Sequence, residues 1–350
     1  MKTNVADMNQ AAAATGLSKE RPLASTDCLH VVPCPRCGSS RCLVAIEAPD
    51  RQVPGPEKFQ VSRCGGCGLL YQNPRLRAEF LSAHYPDDYA PYAVVDPSLH
   101  PATLAYLKRC KGYGHLEGTE RLTTKQKLLG RWNAGLGLIP DFVRGGQLLE
   151  IGCASGNRLA LLRSLGWQDC RGIEYSGAAS ATARARGFEV LTGPVEEVIA
   201  AIPDGTLDVI VAGFVIEHVQ DPFFLTRQLA AKLRKGGQFL FSTINIESPD
   251  FRLYREHWYN LDLPRHMVFF RRGDLRAMLE RDFEIRQIDY AQTFSDYSFS
   301  ARHRLPDHVP GWRGWLDRSI IRWGNRAGLL WMALAWMGWG SRIHIACRKK

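Results

Sequence analysis

The chain has 350 residues, with 45 Lys+Arg against 35 Asp+Glu and a formal net charge of +10. Hydrophobic residues at 45% and aromatics at 10% supply enough apolar surface for a packed core, which excludes wholesale disorder and fibrous classes. The longest uncharged apolar stretch, 327–341, has 15 residues, short of the roughly 20 that a membrane-spanning helix needs. At the start, residues 1–27 lack the continuous apolar core of a secretory signal and read as a flexible tail of a cytoplasmic protein.

Ten cysteines are too dilute for a disulfide scaffold, but four of them are patterned. Cys34-Pro35-Arg36-Cys37-Gly38 and Cys64-Gly65-Gly66-Cys67-Gly68 form two CxxC knuckles separated by 26 residues. Two residues between thiolates let one tight turn present both sulfurs to one ion, and the glycine that follows relieves crowding. Two such turns supply the closed four-sulfur set that zinc prefers, so a structural Zn2+ is expected on Cys34, Cys37, Cys64 and Cys67. Four free thiols or a redox pair is the alternative, though a redox CxxC comes singly at the start of a helix. Strand patterns at 43–46, 59–63 and 69–71 fit a zinc ribbon over residues 28–78 that folds with its metal.

Residues 79–140 carry helical patterns at 103–110 and 124–136 and read as a helical linker or lid; the sequence leaves both open. From residue 141, apolar strand patterns fall at 147–151, 171–174, 189–191, 207–214, 238–243, 283–288 and 342–347. Helical patterns at 157–165, 178–186, 196–202 and 222–233 separate the first five, which is the signature of an α/β fold with a mainly parallel, Rossmann-like sheet. Asp221 with Pro222 behind it is a helix start, and Lys235-Gly236-Gly237 a helix stop. Ligands of such sheets bind beyond the carboxyl ends of the strands.

The first of these strands runs into Glu150-Ile151-Gly152-Cys153-Ala154-Ser155-Gly156-Asn157. A dinucleotide fingerprint would need glycines where Ala154 and Asn157 stand, and Glu150 would repel a pyrophosphate while suiting an ammonium and a sulfonium. Glu174, ending the second strand, is placed to accept both ribose hydroxyls of a nucleoside.

With these residues in view, the sequence resembles class I S-adenosylmethionine-dependent methyltransferases: 150–156 as the cofactor loop, Glu174 as the ribose acid, Ile216-Glu217-His218-Val219 after strand four. More narrowly, the knuckles, Tyr85-Pro86-Asp87-Asp88-Tyr89 and Leu263-Pro264-Arg265-His266 resemble bacterial members that begin with a zinc ribbon and act in polysaccharide or other secondary biosynthesis. The resemblance implies a seven-stranded sheet, S-adenosylmethionine as cofactor, and Glu150, Gly152, Ala154, Gly156, Glu174 and Phe214 around it. Two departures stand out. Ala154 replaces a glycine, and Pro194-Val195 replaces an acid near the adenine, where Glu196 or the backbone at Val195 serves instead.

Histidine titrates near neutrality and suits a base for a hydroxyl acceptor. His218 is the first candidate, with packing against the cofactor or capping as its alternative; His266 is the second, in the insertion after strand five. His257 and Trp258-Tyr259 are candidates to line an acceptor pocket, with plain packing as the alternative.

A helical insert, 289–340, interrupts the expected hairpin between strands six and seven and holds six of the nine tryptophans. Residues 302–350 contain ten Lys or Arg and two Asp, so most of the excess charge lies here, away from the ribbon. This argues against nucleic acid and suits a peripheral contact of 312–340 with the inner membrane face, or else packing on the core or a partner. The function expected is methyl transfer to a small-molecule or carrier-linked acceptor such as a sugar or glycolipid precursor. The alternatives are a zinc-ribbon RNA methyltransferase and a cofactor-binding interaction protein without turnover.

Overall fold

Successive residues of the central strands belong to different cores, the period-two pattern of a sheet buried on both faces. Leu149, Ile151, Ile210, Ala212, Phe239 and Phe241 join one apolar cluster, and Leu148, Val209, Val211 and Leu240 the other. The structure, a computed structural model, describes residues 28–85, 92–95, 98–116, 123–305, 311–323 and 333–350. The expected tail 1–27, the 85–89 string beyond Tyr85, and Trp331 lie outside the described residues.

In chain order, β1 (Leu29–His30), β2 (Cys42–Pro49), β3 (Lys58–Cys64), β4 (Leu70–Gln72) and β5 (Arg75–Leu76) lead to α1 (Ala78–Leu81), α2 (Pro101–Cys110) and α3 (Thr124–Leu136). Next come β6 (Gln147–Ile151), α4 (Asn157–Ser164), β7 (Asp169–Glu174), α5 (Gly177–Ala185), β8 (Glu189–Thr192), α6 (Val195–Val198), β9 (Leu207–Gly213), α7 (Pro222–Lys232) and β10 (Leu233–Ile244). The chain closes with α8 (Pro249–Tyr254), β11 (Val268–Phe269), α9 (Arg272–Leu279), β12 (Phe283–Ala291), α10 (Phe294–Arg304), α11 (Trp312–Trp323) and β13 (Arg342–Lys349).

The main sheet has seven strands in the order β12-β13-β10-β9-β6-β7-β8. β13 runs antiparallel to both of its neighbours, while β6 pairs in parallel with β7 and β9, and β10 with β9. The chain starts in the middle at β6, winds outward through β7 and β8, then returns to the other side at β9, so a crevice opens beyond the carboxyl ends of β6 and β9. This is the class I methyltransferase topology, a mixed sheet with the seven strands that the resemblance implied. Asp221 caps α7 as expected, its Oδ1 accepting the Phe224 N–H at 2.8 Å. The helix stops at Lys232, and Gly236 (φ +75°) instead takes the turn inside a register shift of β10.

The ribbon forms a four-stranded sheet, β11-β4-β3-β2. Its last strand comes from the insertion after β10, about 200 residues later in the chain than the ribbon itself. Phe59, Val61, Leu70 and Tyr71 of the ribbon belong to the same apolar cluster as the sheet residues Leu149 and Ile210. Residues 28–78 are therefore packed as one layer on the main sheet. On the opposite face, Leu107 of α2 and Ala134 of α3 join the second cluster, so these linker helices buttress the sheet. In the insert, α11 turns its buried Asp317 onto Arg304 of α10, Oδ1 to Nη2 at 2.6 Å, while Trp312 and Trp315 stay exposed.

Candidate active site and metal centre

The crevice holds a cavity of about 540 Å³. One end is built by the loop after β6. Gly152 has φ +67°, and a Cβ there would lie 2.6 Å from Val215 Cγ2, so this position requires glycine. Ala154 adopts φ +48° and is held there by its N–H, which donates to Glu174 Oε2 at 2.8 Å. The second Glu174 oxygen accepts the Ser176 N–H at 2.8 Å. Burial pushes the Glu174 carboxyl upward, opposed by hydrogen bonds from Ser176, Ala154 and Tyr175. Of the expected cofactor residues, Gly152, Ala154, Glu174, Val195, Glu196 and Phe214 line the cavity.

Two do not line it. Glu150 lies beneath the loop, where its Oε1 accepts from Arg158 Nη1 at 2.8 Å and burial drives its carboxyl up to about 7. In this structure a guanidinium of the chain itself pairs with the carboxylate for which a ligand ammonium is expected from the sequence. Gly156 (φ +79°) is the N-cap of α4, where a Cβ would press on Phe188 and Ala183.

The far end is built by the turn after β9 and the segment before β11. His218 and His266 stand edge to face with ring centroids 4.5 Å apart. Tyr85 Oη lies 3.2 Å from His218 Nδ1. His266 Nδ1 donates to the Asn260 carbonyl at 2.9 Å, and its Nε2 lies 3.9 Å from Asp262 Oδ2. Burial lowers both histidines, His218 to about 3, with the mutual charge of His266 adding to the effect on His218. Backbone bonds from Met267 N (2.7 Å) and Val268 N (3.2 Å) to the Glu217 carbonyl clamp the two segments together.

A family model described as a methyltransferase domain matches residues 124–288. Residues 124–288 are a methyltransferase domain. The chain is 32% identical over 117 residues to a ubiquinone biosynthesis O-methyltransferase of Albidiferax ferrireducens, a match covering 32% of this chain and 46% of that protein. It is 34% identical over 103 residues to a probable S-adenosylmethionine-dependent methyltransferase of Mycolicibacterium smegmatis, covering 29% of this chain and 39% of that one. The chain thus spans about half the length of the first of these relatives, or less. Among solved structures, an S-adenosylmethionine-dependent methyltransferase from Mesorhizobium loti aligns at TM-score 0.42 and 19% identity, over 62% of this chain and 97% of that chain.

Several residues on the domain's cavity were not singled out from the sequence as site residues: Gln52, Tyr92, Asp262 and Arg342. Gln52 comes from the ribbon and Tyr92 from the linker, each brought in by packing over a long separation. The 92–95 segment is pinned on the cofactor loop, with Ser155 Oγ donating to the Tyr92 carbonyl and Asn157 Nδ2 to the Ala93 carbonyl. Asp262 left a signal, since it begins the string that contains Leu263-Pro264-Arg265-His266. Arg265, fully buried, pairs with Asp262 at 2.8 Å and with Asp50 of the ribbon at 2.9 Å. It staples the ribbon to the wall of the cavity. His257 and Trp258 are buried but do not line the cavity, whereas Tyr259 does.

The four knuckle cysteines converge. Their sulfurs all lie within 4.8 Å of one another, with Cys34–Cys67 at 3.6 Å and Cys37–Cys64 at 3.5 Å. Zinc bonded at about 2.3 Å in a tetrahedron sets its sulfurs about 3.8 Å apart, so the arrangement fits that ion. The knuckles repeat one geometry: Gly38 N donates to the Cys34 carbonyl and Gly68 N to the Cys64 carbonyl, both glycines having positive φ. Arg36 inside the first knuckle pairs with buried Asp274 of α9 at 2.6 Å, and Arg271 donates to the Cys67 carbonyl at 2.9 Å. The knuckles are therefore docked on the methyltransferase domain.

Proposed function

We propose that this chain transfers a methyl group from S-adenosylmethionine to a hydroxyl of a small or carrier-linked acceptor, such as a sugar or glycolipid precursor. The observation that carries the reading is one shared cavity: the glycine loop and Glu174 open into it at one end, and the His218–His266 pair at the other. When bound, the cofactor supplies an electrophilic methyl carbon, and the protein's task is to position the reactants and exclude water. In this reading Glu174 takes the ribose hydroxyls, the backbone after β6 the amino-acid portion, and Val195 and Glu196 flank the adenine. His266, its Nδ1 proton committed to Asn260, offers Nε2 toward the acceptor proton, with Asp262 close enough to stabilise the cation that results. The relatives named as ubiquinone biosynthesis O-methyltransferases support an oxygen acceptor.

The test is cofactor-product release against extracts divided into lipid, nucleotide-sugar and RNA fractions, followed by variants. His266→Ala and His218→Ala are expected to lower turnover by about 10²-fold or more while cofactor affinity holds. Unchanged turnover in both variants contradicts histidine assistance, and activity confined to the RNA fraction contradicts the acceptor class.

A further inference from the structure

We infer that Glu217, His218 and His266 form a divalent-cation site at the acceptor end of the cavity, separate from the thiolate site of the ribbon. One donor atom from each of the three lies within 4.8 Å of the others. Glu217 is fully buried, and only one of its oxygens is engaged: Oε2 accepts from Thr243 Oγ1 at 3.0 Å, while Oε1 has no partner among the described residues. An orphaned carboxylate oxygen at such a depth is costly unless something bonds it. His266 donates its Nδ1 proton to the Asn260 carbonyl at 2.9 Å, the outer hydrogen bond that fixes a metal-binding tautomer and leaves Nε2 bare. Asp262, 3.9 Å from that Nε2, adds negative potential without leaving Arg265.

The geometry is held before any ion arrives. Glu217 and His218 share one turn, and the two backbone bonds from Met267 and Val268 to the Glu217 carbonyl fix that turn against His266. Two imidazoles and one carboxylate suit a first-row divalent cation with open coordination positions, whereas four thiolates make a closed site. The role in catalysis rests on the methyl-transfer reading; the binding itself does not. An acceptor hydroxyl oxygen on an open position loses its proton to water more readily. That oxygen then forms the new C–O bond as the S–C bond breaks, its electron pair staying on sulfur to leave a neutral thioether. With the cation bound, His266 Nε2 would be a ligand and water, not His266, would take the proton, so here the histidines would assist as ligands in place of a base.

The experiment titrates Mn2+ into the full chain carrying its ribbon zinc, following free Mn2+ by electron paramagnetic resonance and affinity by calorimetry. Mn2+ favours carboxylate and imidazole over thiolate, so it does not compete for the ribbon. Wild type is expected to bind a single Mn2+, and Glu217→Gln and His266→Ala to bind it about tenfold or more weakly with cofactor affinity retained. No Mn2+ binding by wild type overturns the site, whatever the variants do, as does undiminished binding in both variants. Turnover in a chain that binds no Mn2+ sinks the cation and leaves methyl transfer standing. Mn2+ binding without product release against any fraction sinks methyl transfer and leaves the cation.

Discussion

Ala154, Phe214 and Asp262 are three of the five non-glycine residues with positive φ among those described, and all three line the cavity. Strain of about 1–3 kcal/mol at each such residue persists only where the surroundings enforce it. At Ala154 the enforcing group is Glu174, which explains how alanine serves where related loops have glycine. Glu174 was legible because an acid at the end of the second strand has few structural reasons to be there. The partner of Glu150 was not legible, since Arg158 reaches it only through the way α4 crosses the loop. His344 carries a prediction of its own. It is buried against Ser242 (2.7 Å), and burial with the charges of Arg342 and Arg158 lowers it from 6.5 to about 3; His303 is lowered to about 4, chiefly by burial and Arg51. Between those values and about 6.5 the unfolded chain binds protons that the folded chain refuses. Their contribution to stability is therefore complete above about pH 6.5 and is lost as the pH falls toward 4. Between about pH 7.5 and about pH 5, denaturant unfolding is expected to show the stability of His344→Gln rising relative to wild type, the raised carboxyls of Glu150 and Glu217 acting equally in both. An identical slope in the variant contradicts the assignment.

The seven strands of the main sheet could be read from sequence to within a few residues at each end because most are buried on both faces and form apolar runs between helical patterns. β11 could not. Two residues carry no periodicity, and their partner, β4, lies far back in the chain. That small strand makes the ribbon part of the cavity wall, because it follows His266 directly. The Asp50–Arg265–Asp262 network acts at the same place: against the upward push of burial, the hydrogen bond from His84 at 2.8 Å and the Arg265 guanidinium together hold Asp50 down, to about 2. Arg265→Ala leaves two buried carboxylates without their cation and is expected to cost about 3–5 kcal/mol in denaturant unfolding. A cost within about 0.5 kcal/mol contradicts the stapling role, since that is the ordinary effect of a surface substitution.

At the scale of the molecule, charge and function part company. The excess of +8 over residues 302–350 falls on the insert and β13, while the zinc-type knuckles are occupied by α9 through Arg36 and Arg271. A ribbon docked on the methyltransferase domain forms part of the cavity wall, and Gln52 is its most direct contribution. The end of the cavity around Gly152 and Glu174 was legible in the sequence, since one loop and two adjacent strands build it. The end around His218 and His266 draws on the ribbon, the linker, the β9 turn, the β10 insertion and β13, and only the fold brings these together. The account depends most on Glu174 as a cofactor-holding acid. Calorimetry of S-adenosylmethionine binding to wild type and Glu174→Ala tests it directly: wild type is expected to bind one cofactor per chain, and the variant about ten- to a hundredfold more weakly as the ribose hydroxyls lose their acceptor. Equal affinity in the two proteins, or no binding by wild type, would contradict it.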